Sequence, residues 1–357
     1  MTASSSSTAL LDLLKIDHPV IQAPMAGTSN PVMAAAVANA GGLGSIGVGA
    51  MTASAVDEAI RAFKDRSNRS LNVNVFCHQP AKADAAVERA WLSSLAAEFR
   101  KFGAEPPAQL TEIYKSYLED DVMHRVLLAA KPRVVSFHFG APTAAQAREL
   151  REAGITLIAS ATNLAEGRAL VASGMHAVIA QGYEAGGHRG RFATDGHDDR
   201  LGTFTLTRML ARDLSVPVIA AGGIMDVHGV AAALKLGAAA AQLGTAFVAA
   251  SESSADDAYR QALASSAAHH TTMTRAISGR HARCLANSFT ALSERLGGED
   301  AAPAYPIAYD AGKALNAAAR QAGDGSYGAQ WAGQGAPLAR PMAAGDLVRL
   351  IVEEALR

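Results

Sequence analysis

Short apolar runs recur along the chain at roughly 20- to 40-residue intervals, the spacing that a strand–helix crossover unit needs. Eight of them read as buried strands: Pro19–Pro24, Leu43–Ile46, Leu71–Phe76, Val134–Phe137, Ile155–Ala159, Ala177–Ala180, Pro217–Ala220 and Ala239–Leu243. Helical segments separate them. Pro31–Ala40 has Asn30 as its N-cap and Pro31 as its first helical residue. Thr52–Lys64, Thr143–Ala153, the stretch from Thr162 or Asn163 to Ser173, Leu206–Leu214 and Asp226–Leu236 follow the same plan. The third strand leads into a longer excursion, helical over Lys82–Phe102 and again over Ala108–Ala130, with a break at Glu105-Pro106-Pro107. Eight near-continuous apolar strands alternating with helices predict an α/β fold, a TIM (β/α)8 barrel.

A barrel of that kind takes about 250 residues, and this chain has 357. The barrel is expected over 1–253. Beyond Ser253 the pattern turns irregular, with breakers at Gly297-Gly298, Pro303 and Pro306. A mainly helical region on the substrate side is expected over 254–324. The segment 325–357 then returns to the barrel through the amphipathic stretch Gly345–Leu356.

Composition narrows the class. Apolar residues make up 49% and charged residues 18%, enough for a large core, and the net charge is −1 with no basic stripe. That disfavours nucleic acid and anionic membranes as partners. Ser4–Ser7 reads as a polar tail and lacks the plan of a signal peptide. Gly229–Ala250 is long and apolar but carries Lys235 and Gln242, and reads as helix, turn and strand of a soluble core. Cys77 and Cys284 are distant and form no Cys-x-x-Cys, so no metal site is expected and a cytoplasmic location fits. An oligomer is possible but not indicated.

The chemistry gathers at the expected strand ends. The sixth run passes into Gln181-Gly182-Tyr183-Glu184-Ala185-Gly186-Gly187-His188. Gln181 can donate and accept, Gly186 and Gly187 admit a ligand close to the backbone, and His188 can exchange protons near neutrality. The seventh and eighth runs end in Gly222-Gly223 and Gly244-Thr245, each read as opening a helix with free N–H groups, the usual phosphate site of such a barrel. A flat ring beside that phosphate would meet the backbone of Pro24-Met25-Ala26 and the amides of Asn74 and Gln181, which suit a flavin. Tyr305, Tyr309 and Lys313 fall at i, i+4 and i+8, one face of a helix, and suit a small anion. His78, His197, His269 and His270 read as surface or loop residues.

Five stretches together resemble the nitronate monooxygenase family: Gln22–Gly27, Asn74–Phe76, Gln181–His188, Ala220–Ile224 and Gln242–Thr245. The resemblance implies FMN, no metal, and FMN contacts at Met25, Asn74, Gln181, Gly186, Gly223, Gln242, Leu243, Gly244 and Thr245. It implies His188 as catalytic base or substrate-orienting group. The run Pro303–Lys313 with Gln330–Gly335 is similar to class I of the family. On that likeness Tyr114 and His138 join Tyr305, Tyr309 and Lys313 at the substrate, and Trp331 lies by the cofactor. The implied reaction is oxidative denitrification of an alkyl nitronate, propionate 3-nitronate above all, by O2 through a flavin semiquinone. The products are an oxo-acid or aldehyde with nitrite or nitrate. Two other readings stand beside it. One is an FMN-dependent NAD(P)H reductase of quinones or enoyl thioesters, the other a non-redox barrel for a phosphate ligand.

Overall fold

The computed structural model describes residues 5–296 and 301–355. The strands are β1 (Val20–Gln22), β2 (Gly44–Gly47), β3 (Leu71–Phe76), β4 (Val134–His138), β5 (Thr156–Ala161), β6 (Ala177–Gln181), β7 (Gly187–His188), β8 (Val218–Ala221), β9 (Ala240–Leu243), β10 (Thr271–Thr274) and β11 (Ala282–Leu285). Eight of these form one parallel sheet in the order β1-β9-β8-β6-β5-β4-β3-β2. A parallel bridge between Ile21 and Leu43 joins the first strand to the last and closes the cylinder. The fold is a TIM barrel, as the eight apolar runs predict. All eight runs become barrel strands because each is buried on both faces, by the barrel interior on one side and helices on the other.

The chain start differs from the expected polar tail. Ser5–Leu14 is a helix whose Leu10 and Leu14 pack with Ile21, Leu43, Val134, Ile158 and Ile219. It closes the barrel at the amino-terminal strand ends, and Ser7 Oγ donates to the Ala239 carbonyl. Ser4 lies outside the described residues. At the other end, helix Ala344–Ala355 packs Leu347, Val348 and Ile351 onto Met33 and Val37 of helix Pro31–Asn39. Leu356 and the breaker pair Gly297-Gly298 also fall outside the described residues. Among the described residues no helix is long and apolar enough to cross a membrane.

The excursion after β3 is helical over Ala85–Lys101, but Ala108–Ala130 is only half so. A 3-10 turn at Tyr117–Glu119 precedes helix Asp121–Ala130, which Asp120 caps. Residues 108–116 stay irregular because their contacts are tertiary. Leu110 joins the cluster of Trp91 and Leu315, Thr111 bonds to Asp310, and Tyr114 packs on Tyr305. Helix Ala85–Lys101 thereby shares one apolar cluster with helices Ser288–Arg295 and Ile307–Gln321. That region also holds the hairpin β10–β11, which no apolar period announces. β11 pairs on its far side with β7, so Gly187–His188 is a strand and not free loop.

Asn30 accepts from the N–H groups of Val32 and Met33, as the sequence predicts, and its Nδ2 also donates to the Glu252 carbonyl and Ser254 Oγ. It therefore ties the first barrel helix to the exit from the last. Asn30→Ala should cost about 2 kcal/mol, for the cap and the two hydrogen bonds from Nδ2 together. Urea denaturation measures this, and a loss no greater than that of an exposed surface alanine would show that the junction contributes nothing.

Candidate active site

The carboxyl ends of the barrel strands open into a cavity of about 300 Å³. Pro24, Met25, Ala26, Asn74, Gln181, Gly186, Gly222, Gly223, Gln242, Gly244, Thr245 and Trp331 line it together with Tyr114, His138, His188, Tyr305, Tyr309 and Lys313. Leu243 does not. It is fully buried in the layer of Ala241 and Phe247, because alternate side chains of β9 face opposite ways and Gln242 takes the cavity side.

The amides divide into spent and unspent groups. Gln181 bridges its own loop: Nε2 donates to the His188 carbonyl at 2.9 Å, and Oε1 accepts from Gly190 N–H at 2.7 Å. Asn74 donates through Nδ2 to Ser136, and its Oδ1 has no hydrogen-bond partner among the described residues. Gln242 Oε1 is buried with no partner among the described residues. Such an atom costs free energy unless a ligand satisfies it.

The two glycine turns are built differently from each other. Gly244 directly precedes the short helix Thr245–Val248. Gly222-Gly223 does not open a helix; helix Val227–Lys235 begins four residues later under its own cap, Asp226. Gly222 and Gly223 take φ of +116° and +70°, a region costly for other residues. Glu184, to which the sequence assigns no role, accepts the Thr203 N–H that begins helix Thr203–Asp213, and Thr203 Oγ1 lies 2.9 Å from the Gly222 carbonyl. The segment 331–335 then folds over these turns. Gly333 N–H donates to Thr245 Oγ1 and Gln334 N–H to the Glu184 carbonyl. A Cβ on Gly333 would come within 2.6 Å of that same carbonyl, so only glycine permits the approach.

The opposite wall is aromatic. Pro306 keeps Tyr305 out of the helix, which starts at Ile307, since a residue before proline avoids the helical region. Tyr305 therefore reaches the cavity from the entering chain, and only Tyr309 and Lys313 do so from the helix. Tyr114 bridges them, with ring centroids 6.4 Å from Tyr305 and 5.8 Å from Tyr309. Burial raises all three phenol pKa values, that of Tyr309 to about 12 against a hydrogen bond with Trp331. They are neutral donors, and the Tyr305 hydroxyl has no partner among the described residues. Lys313 Nζ stands 4.7 Å from the Tyr114 ring centre and 5.2 Å from that of Tyr309. The side chain remains exposed, yet loss of water lowers its pKa, with Asp310 acting in the opposite sense. Asp310 itself turns to Thr111. Among the described residues no carboxylate lines the cavity, and no group of His, Cys, Asp or Glu is placed to hold a metal.

His188 lies among Tyr305, Tyr309, Phe139 and Trp331, 5.1 Å from the last. Burial, then His138, Arg280 and His78, hold its pKa down to about 3. His138 spends both ring nitrogens inside the protein. Nε2 lies 3.0 Å from the His188 carbonyl, which can only accept, so Nε2 carries hydrogen and Nδ1 accepts from Ser160. It presents only its ring to the cavity.

Three further features escape the sequence reading. His78 is buried, not surface, edge-on to Tyr305 at 5.0 Å, with its pKa lowered to about 4 by burial and then by Arg280. Arg280 lies 4.0 Å over the ring of Phe139, which takes φ of +72° at the end of β4. The loop Ser278-Gly279-Arg280 joins these parts. Ser278 meets His188, and Gly279, at φ of +86°, presses on the backbone of Pro303–Tyr305. A hydroxyl, a glycine and an arginine between two four-residue strands are the only local signal, and nothing in it points to His188.

The family model described as nitronate monooxygenase matches residues 7–354. A nitronate monooxygenase of Paraburkholderia phytofirmans is 59% identical, covering 99% of this chain and 96% of its own. One of Pseudomonas aeruginosa is 50% identical, covering 96% and 97%. Among solved structures, a nitroalkane oxidase from Streptomyces ansochromogenes superposes with a TM-score of 0.87 at 38% identity over 98% of both chains. FabK from Thermotoga maritima superposes with a TM-score of 0.74 at 30% identity, over 98% of this chain and 96% of that one. With the barrel and its cavity as described, the chain belongs to the nitronate monooxygenase family of enzymes.

Proposed function

We propose that this enzyme oxidises alkyl nitronates with O2, that FMN is its cofactor, and that propionate 3-nitronate is the substrate it fits best. The observation that carries the reading is the charge of the cavity: the Lys313 ammonium is held over two neutral phenols, and among the described residues no carboxylate lines the cavity beside it. Such a wall favours a small anion.

The residues present fit a flavin. Gln242 Oε1 is an orphaned buried acceptor and Asn74 Oδ1 an unspent one, as a ring edge with N–H donors requires. Gly223 and Gly244 offer N–H groups that no backbone carbonyl among the described residues uses, which suits the phosphate. Met25, Gly186 and Trp331 would flank the ring. FMN, when bound, supplies the electron transfer and the route to oxygen.

The chain's own part is placement. Lys313 neutralises the nitronate, and the Tyr305 hydroxyl, without another partner, donates to it. Tyr114 and Tyr309 hold the ammonium in position. The closing segment 331–335 and the aromatic wall limit water around the anion, which strengthens each of these contacts. His188 stands neutral among them.

Purified protein reconstituted with FMN should take up oxygen with propionate 3-nitronate. A protein that binds no flavin, or one whose uptake matches free FMN, would remove the reading. Bleaching by NADH or NADPH without oxygen would instead favour a reductase. Lys313→Met should raise KM for the nitronate about 10- to 100-fold with FMN still bound, the worth of one charged contact; an unaltered KM would show that another group meets the anion. With its pKa held down to about 3 by burial, His188 is neutral across the range around neutral pH. With a nitronate ionised throughout, kcat/KM should therefore lack a limb near pH 6.5. Such a limb, lost in His188→Asn, would contradict the neutral imidazole.

A further inference from the structure

Which nitrogen of His188 can take a proton is decided by its neighbours. Nε2 lies 2.9 Å from Ser278 Oγ. Ser278 is fully buried, and the same Oγ lies 3.1 Å from the Arg280 carbonyl. A carbonyl only accepts, and a serine has one hydroxyl proton. That proton therefore goes to Arg280, and Ser278 Oγ must accept from His188. The imidazole hydrogen is on Nε2. Nδ1 then holds the lone pair. It has no hydrogen-bond partner among the described residues and is not sealed from solvent, while the residue lines the cavity. The main chain is pinned as well, since both Gln181 and His138 donate to the His188 carbonyl.

We propose that Ser278 is a positioning residue that holds His188 as the Nε2–H tautomer and so makes Nδ1 the acceptor for the α-proton of a neutral nitroalkane. This rests on the nitronate-oxidising reading of the cavity. In the step, the α-proton moves to Nδ1. The C–H electron pair becomes the C=N bond of the nitronate, and an N–O π pair moves onto oxygen. His188 becomes imidazolium and still donates Nε2–H to Ser278. Lys313 and the Tyr305 hydroxyl face the new negative charge. No oxidant or reductant enters. In this tautomer the neutral ring has no N–H left to give an anion, so a nitronate supplied ready-made bypasses the step.

The two substrate forms separate the roles. The holoenzyme labelled with 15N-histidine, assigned against His188→Asn, should show His188 Nδ1 without hydrogen and Nε2 with it. Ser278→Ala should mix the tautomers. It should lower kcat/KM for nitroethane by about tenfold or more, and change that for ethyl nitronate by less than about twofold. Ser278→Thr, which keeps the hydroxyl, should restore both the spectrum and the nitroethane rate. If Ser278→Ala does not fold, the wild-type spectrum and Ser278→Thr still carry the test. A wild-type His188 with hydrogen on Nδ1 overturns the proposal. So does an equal fall on both substrates, unchanged kinetics in Ser278→Ala, or a wild type inert to nitroethane. A wild type inert to the nitronate as well overturns the proposed function instead, and the spectrum still reports the tautomer.

Discussion

The site depends on one short pairing. β7, only Gly187 and His188, joins β11 through Ala282 and Arg283, and so attaches the loop after β6 to a hairpin that belongs to the far side of the cavity. A loop on a barrel rim is ordinarily mobile. This one becomes a strand, and its carbonyl takes two side-chain donors from β4 and β6. The imidazole is thereby held against the barrel and the aromatic wall together. Without that pairing the rest of the cavity could form and still leave His188 with no defined direction.

A second constraint is electrostatic. His78, His138 and His188 surround Phe139 and Tyr305, and Arg280 lies on Phe139. Burial alone disfavours charged imidazoles. Arg280 acts in the same direction on all three, so the permanent cation keeps its neighbours neutral. The consequence is a cavity whose imidazoles rest neutral, with the Lys313 ammonium in its lining and the Arg280 cation behind it on Phe139. Phe139 is held in the left-handed region at the centre of this arrangement, and its packing on every side is what maintains it.

Several residues of the recognisable motif serve the protein more than a ligand. Gln181 closes its own loop, Glu184 holds the Gly222 turn through Thr203, and His138 supports the carbonyl of His188. The cavity groups with no hydrogen-bond partner among the described residues are Gln242 Oε1, the Asn74 oxygen and the Tyr305 hydroxyl, while the Lys313 ammonium meets the ring faces of Tyr114 and Tyr309. Conformational freedom follows the same division. Gly333 and Gly186 allow the 331–335 segment to lie on the rim at backbone contact, a closeness that side chains would prevent.

The sequence by itself determined the barrel, because each strand is an apolar run buried on both faces and most breaks fall at a cap, a glycine or a proline. It also brought the strand-end amides and glycine turns to one cavity, since residues at strand ends must share one rim, although strand alternation turns Leu243 away from it. Tertiary structure decided the rest. Tyr114 lost its expected helix to contacts with Tyr305 and Lys313, Tyr305 fell outside the helix of Tyr309, and the amino-terminal tail became a stopper. His78 and Ser278 carry no local pattern, and their meaning comes from neighbours remote in the chain, such as Ser278 on a hairpin loop 90 residues after His188. Periodicity reports which face of an element meets the core. It cannot report which two elements the folded chain brings together, because that depends on shape and hydrogen-bond direction in three dimensions.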